Sequence, residues 1–365
     1  MDNLLQLKCP NCGAAIGFNA TRQLFVCEFC CSEFSEQEIN EANGREAELS
    51  NADGISLEKE DYIDGKKIAP EDTFDQHTNL YLCESCGAEI VADENTAATF
   101  CHYCHGNVTL KGRVSGALQP ELIIPFKIDK GMAETMFKDW CKKKWFLPKS
   151  FSSQGQLEKM VGLYVPFWLA DCDVDASAEY DAKKIHSYRS GDYRITNTKV
   201  YSASRAAKMT YRGIPADASK KLEDALMDAV EPFDYNEFLP FSMNYFSGFY
   251  ADKYDVEKSE AIVRIKQRMT DGAMQVLRQS VQGYTTVSCK GSRLRIVKTN
   301  WHYTMLPVWF MTYMYGGKKY FFAINGQTGK IAGIIPVSVG KLIFMALCFI
   351  LGFTLIGLIG GGLIS

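Results

Sequence analysis

Eight cysteines stand in two matching cassettes: Cys9, Cys12, Cys27 and Cys30, then Cys83, Cys86, Cys101 and Cys104. In each, two CxxC halves are separated by fourteen residues. A CxxC turn aims two thiolates at one point, and two such turns close a tetrahedron around a divalent ion. The expected chemistry is structural: two Zn²⁺ ions, each held by four thiolates. Disulfides are a poorer reading of duplicated CxxC pairs at this separation, and iron in a four-thiolate site is the stronger competitor. Cys31, His102 and His105 stand close enough to substitute, but four cysteines already fill each shell, so these three are expected to be spectators.

The elements that must position these thiolates are small. Gly13 and Gly87 directly follow the second cysteine of each first knuckle, where a turn needs a positive φ that is costly with a Cβ. A unit of roughly 30 residues buries too little apolar surface to fold unaided, so the metal must serve as its core. Residues 1–34 and 80–116 are therefore expected to be zinc ribbons. Between them, residues 35–79 form an acidic linker; Glu33 to Leu80 carries 14 acidic and 4 basic residues, a composition expected to stay solvated and partly helical.

Charge bears on partners. Phosphate-backbone binding needs clustered Lys and Arg, yet Met1–Ser32 has two acidic and two basic residues and Tyr81–Gly116 has four and two. On that count neither ribbon is a nucleic-acid surface. The thirteen cysteines imply a reducing compartment. No signal peptide is legible at the N-terminus. Leu342–Ile364 is an uncharged apolar run, roughly 34 Å long as a helix at about 1.5 Å per residue, which predicts a transmembrane helix over residues 341–364. Lys341 and the lysines upstream agree with a cytoplasmic body. The expected localisation is the cell membrane, with a single-pass C-terminal anchor. Gly357 and Gly361 form a GxxxG pair that could join two copies into a homo-oligomer.

Residues 117–338 read as an aromatic-rich α+β domain, so the fold class expected overall is α+β with two ribbons and a C-terminal membrane helix. Leu122–Ile128 reads as a buried strand, Gly131–Trp145 as a helix and Leu163–Asp175 as a strand. Ala176–Gly213 reads as a long hairpin turning at Ser190-Gly191-Asp192. Phe238-Leu239-Pro240-Phe241 echoes the first Ile-Pro-Phe element, a helix follows over Val256–Gln282, and Leu306–Phe310 echoes Val165–Leu169. Two related halves are expected on that basis. A meander closes the domain through the Asn325-Gly326 turn.

No catalytic constellation stands out, and no catalytic or cofactor-binding residue is assigned. Gly326–Lys330 lacks the spacing of a phosphate loop. Asp171, Asp173 and Asp175 alternate on one strand face, which suits a solvated face better than a cation site. His186 and His302 are isolated in sequence. Phe233–Tyr254 is expected to be core.

The paired ribbons, Val165–Leu169, Ile214–Ser219, Glu231–Phe241, Gly248–Val256 and Leu306–Lys330 together resemble a group of bacterial membrane-anchored proteins with TFIIB-type zinc ribbons, some labelled PriA-like helicases. No Walker motif supports a helicase. The resemblance implies an accessory membrane protein associated with SPFH (flotillin-like) or phage-shock-type envelope proteins. The expected function is a non-enzymatic, membrane-anchored adaptor whose ribbons dock proteins. The alternatives are a nucleic-acid- or transcription-associated ribbon protein and an iron or redox sensor.

Overall fold

The computed structural model describes residues 7–42, 78–83, 85–93, 101, 103, 108–113 and 119–362. Its strands fall into two sheets. The smaller is β1 (Leu7–Lys8), β2 (Ala15–Asn19), β3 (Leu24–Val26) and β4 (Glu33–Phe34), paired antiparallel in that order. Helix α1 (Glu36–Ala42) follows, capped reciprocally by Ser35 and Glu38.

The larger sheet begins with β5 (Thr78–Cys83), β6 (Glu89–Asp93) and β7 (Val108–Arg113), and continues through β8 (Leu122–Ile123), α2 (Lys130–Lys142) and α3 (Gln154–Leu157). Then come two very long strands, β9 (Val161–Ser190) and β10 (Tyr193–Asp217), followed by α4 (Asp224–Val230), β11 (Leu239–Pro240), β12 (Tyr250–Asp252) and α5 (Lys258–Gln279). A third long strand, β13 (Thr286–Tyr315), leads into β14 (Lys318–Asn325), β15 (Ile331–Gly333) and α6 (Val339–Gly362). Along the sheet the order is β11-β8-β13-β9-β12-β6-β5-β7, with β10 on β9, β14 on β13 and β15 on β14.

Two β-α-β units interlock at its centre. In chain order they run β8-α2-β9 and β12-α5-β13. Yet β8 lies parallel beside β13, with Leu122 opposite Thr304, and β12 lies parallel beside β9, with Tyr250 opposite Leu163. Each unit's first strand thus borders the other unit's last. Val165 sits opposite Leu306 where β9 and β13 cross as antiparallel neighbours, so the two echoing segments are paired directly. The other echo is misplaced: Leu239–Pro240 merely pairs with β8, and the counterpart of β8 is β12.

Proline in a central strand would normally cost a ladder hydrogen bond. Pro166 falls where the outer neighbour of β9 changes from β10 to β12, and Pro307 where that of β13 changes from β8 to β14. At both places the neighbour uses the proline's acceptor instead: Ala218 N–H donates to Pro166 O at 2.9 Å and Gly326 N–H to Pro307 O at 2.8 Å.

Two expectations are corrected. The α+β class gives way to a mostly β structure, 42% strand, because residues 161 to 217 and again those from 286 form strands of 25 to 30 residues. The membrane anchor is corrected as well. A helix does form at α6, but its side chains from residue 355 onward lie outside the described residues. Among the described residues, no helix is long and apolar enough to cross a membrane. The transmembrane helix and the single-pass membrane localisation are withdrawn on this finding.

Candidate metal centres

Each thiolate cluster is built by backbone turns. In the first knuckle Gly13 N–H donates to Cys9 O at 2.8 Å, Cys9 N–H donates to Ala14 O at 2.7 Å, and Gly13 takes φ +70°. In the second, Cys31 N–H donates to Cys27 O at 2.8 Å, Cys27 N–H donates to Ser32 O at 2.9 Å, and Cys31 takes φ +56°. Cys31 therefore fills the turn position that Gly13 fills in the first knuckle.

These turns bring Cys9, Cys12, Cys27 and Cys30 together, with all four sulfurs within 4.8 Å of one another. Cys9 Sγ lies 3.5 Å from Cys30 Sγ, and Cys12 Sγ 3.5 Å from Cys27 Sγ. A disulfide would require about 2.05 Å. Sulfurs on a tetrahedron with metal–sulfur bonds of about 2.3 Å are roughly 3.8 Å apart, so the spacing is that of a shared ion's ligands. Cys9 and Cys27 are buried while Cys12 and Cys30 face solvent.

Protonation shows why such a set needs a cation. The Ser32 hydroxyl and backbone hold the Cys30 thiol down to about 6. Cys12 is pulled down by the Ala14 backbone, yet burial and its contacts with Cys30, Cys27 and Cys9 push it up to about 12. Four thiolates at this separation cannot all ionise unless a dication offsets their repulsion.

The second cluster repeats the geometry. Gly87 N–H donates to Cys83 O at 2.8 Å, Cys83 N–H donates to Ala88 O at 2.9 Å, and Gly87 takes φ +69°. Cys83, Cys86 and Cys101 have their sulfurs within 4.8 Å, with Cys86 and Cys101 at 3.6 Å. The expected fourth ligand, Cys104, lies outside the described residues, as do His102 and His105. Two cysteine clusters that could hold metal ions are thus in place.

Neither ribbon stands free of the body. Thr21 Oγ1 donates to Asp129 Oδ2 at 2.7 Å, Gln23 Nε2 donates to Phe126 O at 2.7 Å, and the Tyr245 hydroxyl donates to Glu36 Oε2 at 2.9 Å. Phe18 and Tyr245 pack edge to face at 5.1 Å. The second ribbon joins the main sheet directly, because β6 pairs with β12 through Val91 opposite Ala251. There the Tyr103 hydroxyl donates to Asp252, the Tyr103 ring packs on Phe310, and Lys221 Nζ donates to Cys86 O at 3.3 Å. The aromatic segment read as core is therefore the cradle of both ribbons. Its burial was legible from composition; its two ribbon partners were not, since no local pattern encodes a contact across more than a hundred residues.

A second polar cluster joins residues that look unrelated in sequence. His302 Nδ1 lies 3.2 Å from Glu121 Oε2, and its Nε2 lies 3.8 Å from Asp171 Oδ2. Gly213 N–H donates to Asp171 Oδ1 at 2.7 Å, and Arg212 pairs with the same carboxylate at 3.5 Å. Asp173 accepts from Thr210 and Asp175 pairs with Arg295. The three alternating carboxylates share a strand face as expected, but cations and hydroxyls already occupy them.

No family model matches the chain, and no solved structure matches it. It is similar to the uncharacterized protein YdjG of Bacillus subtilis (strain 168), 33% identical over 300 residues that span 74% of this chain and 88% of the relative. The chain belongs to the family of YdjG.

Proposed function

We propose that this member of the YdjG family is a non-enzymatic adaptor organised by two structural zinc ions. The observation carrying the reading is the closed four-sulfur set of Cys9, Cys12, Cys27 and Cys30. A catalytic zinc keeps one position for water or substrate, whereas four protein thiolates leave none. Zinc is preferred over iron because the duplicated turns serve structure: each cluster holds a ribbon against the body. Ser247 and β12 lie within six residues of each other and secure the first and second ribbons respectively. The two metals thereby fix one rigid platform. At its solvent edge Phe29 is 83% exposed beside Cys30, an apolar knuckle tip suited to a protein partner.

Metal analysis of the purified full chain tests the metal assignment: two zinc ions per chain are expected, and one for Cys12→Ser. A coloured iron–thiolate chromophore would overturn zinc. For the adaptor reading, proteins retained by the chain should be lost with Phe29→Ser while zinc is kept. An unchanged set would remove the first ribbon's tip as the docking element.

A further inference from the structure

Beyond the body, β9, β10 and β13 continue as an arm. One face of its base is covered by α5: Ala176, Ala178, Tyr180, Ala182 and Ala203 pack with Ala273 and Leu277. The opposite face carries the rows Arg295–Asp175–Lys208 and Arg293–Ser177–Ala206. Past Thr286, which pairs with Lys183, only the β9–β10 hairpin goes on. From residue 183 to 200 it is exposed on both faces, with Ser187 Oγ and Thr196 Oγ1 bonded across it at 2.9 Å.

Its charge is one-sided. Residues 175–208 and 286–298 hold eleven Lys and Arg against four Asp and Glu, in a chain whose net charge is −3. Moreover, Lys184 sits directly opposite Lys199, and Arg189 directly opposite Arg194. Like charges in that relation destabilise a strand pair. Two successive repulsive pairs on an exposed hairpin favour a role in which an anion relieves them. Because side chains alternate, the lysine pair and the arginine pair project from opposite faces. Tyr193 is 78% and Tyr188 50% exposed among them.

We propose that this arm binds duplex DNA, its two-stranded tip entering the major groove and the row of Lys208, Arg293 and Arg295 lying along a phosphate backbone. The B-form major groove, about 12 Å wide, admits a two-stranded ribbon and presents phosphates on both of its walls. A ribbon cationic on both faces matches that arrangement. A bilayer meets one face only, and the deep, narrow major groove of A-form RNA excludes the ribbon. The neutral ribbons misdirect a charge count made on the cysteine modules, since the basic surface sits on a different element.

Fluorescence anisotropy with the full, metal-loaded chain and a short mixed-sequence DNA duplex tests this. The expected result is binding that weakens steeply with salt. Arg189→Ala/Arg194→Ala should weaken it at least about tenfold and lower the slope of log affinity against log salt by about 1.8, at roughly 0.9 per lost phosphate contact. Lys138→Ala/Lys143→Ala, which removes the same charge from α2 and the residue capping its C-terminus, should bind as the wild type does. The arm variant should melt no lower than wild type, because it deletes a repulsive pair, so loss of binding is separable from loss of fold. No salt-dependent duplex binding, equal weakening by both variants, tighter binding to duplex RNA, or binding confined to anionic phosphatidylglycerol vesicles would each overturn the proposal.

Discussion

The Ser247 hydroxyl donates to the backbone carbonyl of Ile16, 2.8 Å away and buried, and so fastens the first ribbon to the segment that forms β12 three residues later. Both partners come from segments whose sequence advertises something else, one a metal knuckle and the other an aromatic core. Removing this bond should loosen the first ribbon selectively. Ser247→Ala is expected to lower stability by about 1 kcal/mol, read from the denaturant midpoint. Tyr245→Phe, which frees Glu36, should cost a similar amount. Zinc loss to a chelator should quicken at the first ribbon only, and equal quickening at both sites would argue against this anchoring.

Cys31 tests the distinction between ligand and spectator. It holds φ +56° with a Cβ, where Gly13 and Gly87 do the same work without one. Cys31→Gly should therefore raise stability by about 1 kcal/mol and leave the zinc content unchanged. A fall in bound zinc would make Cys31 a ligand.

His302 predicts a pH dependence. The Asp171 carboxylate beside its Nε2, then the Glu121 carboxylate at its Nδ1, raises it to about 9 against opposing burial. Since the folded value lies above the unfolded one of about 6.5, its contribution is full below pH 6.5 and is lost as pH rises through 9. Asp171 runs the other way: burial pushes it up, but the neighbouring His302 ring, the Gly213 N–H and Arg212 hold it below its ordinary value. Its share is present above the unfolded carboxylate range and is lost on acidification. Thermal melts from pH 6 to 9.5 should show a decline that His302→Gln removes, and an unchanged decline in that variant would reassign the titration.

Gly326 marks a close approach rather than a phosphate loop. A Cβ there would come within 2.6 Å of the Phe126 ring and 2.9 Å of Pro307 Cβ. Gly326→Ala should cost about 1–3 kcal/mol, whereas Gly191→Ala, at the open tip of the arm, meets no atom within 4 Å and carries only the cost of its φ of +62°. Comparing the two midpoints separates crowding from backbone strain.

Local signals in the sequence carried the turns and the metal knuckles. Ser190-Gly191-Asp192 places the hairpin tip, Asn325 Oδ1 accepts from Gln327 and Thr328 N–H as an Asx turn does, and both glycines after CxxC take the left-handed region. Long-range pairing was not legible. Tyr250–Asp252 is too short to show a period, yet it joins β9 to β6. Likewise Leu239-Pro240 imitates the first Ile-Pro-Phe element in residue type while lying on the sheet's far edge. Asp171 and His302 were read as separate residues because 131 positions divide them, and only the β9–β13 register brings them together.

Interlocking makes each unit depend on the other for a border strand. A half-length chain containing one strand-helix-strand unit would leave its long strand bordered by nothing on the side where the other copy's first strand now lies. It could complete its sheet only by trading that first strand with a second molecule, in a reciprocal twofold pair. Joined in one chain, the two units supply each other's missing border, and their outer neighbours differ: β12 also borders the metal ribbon through β6, and β8 the short strand β11.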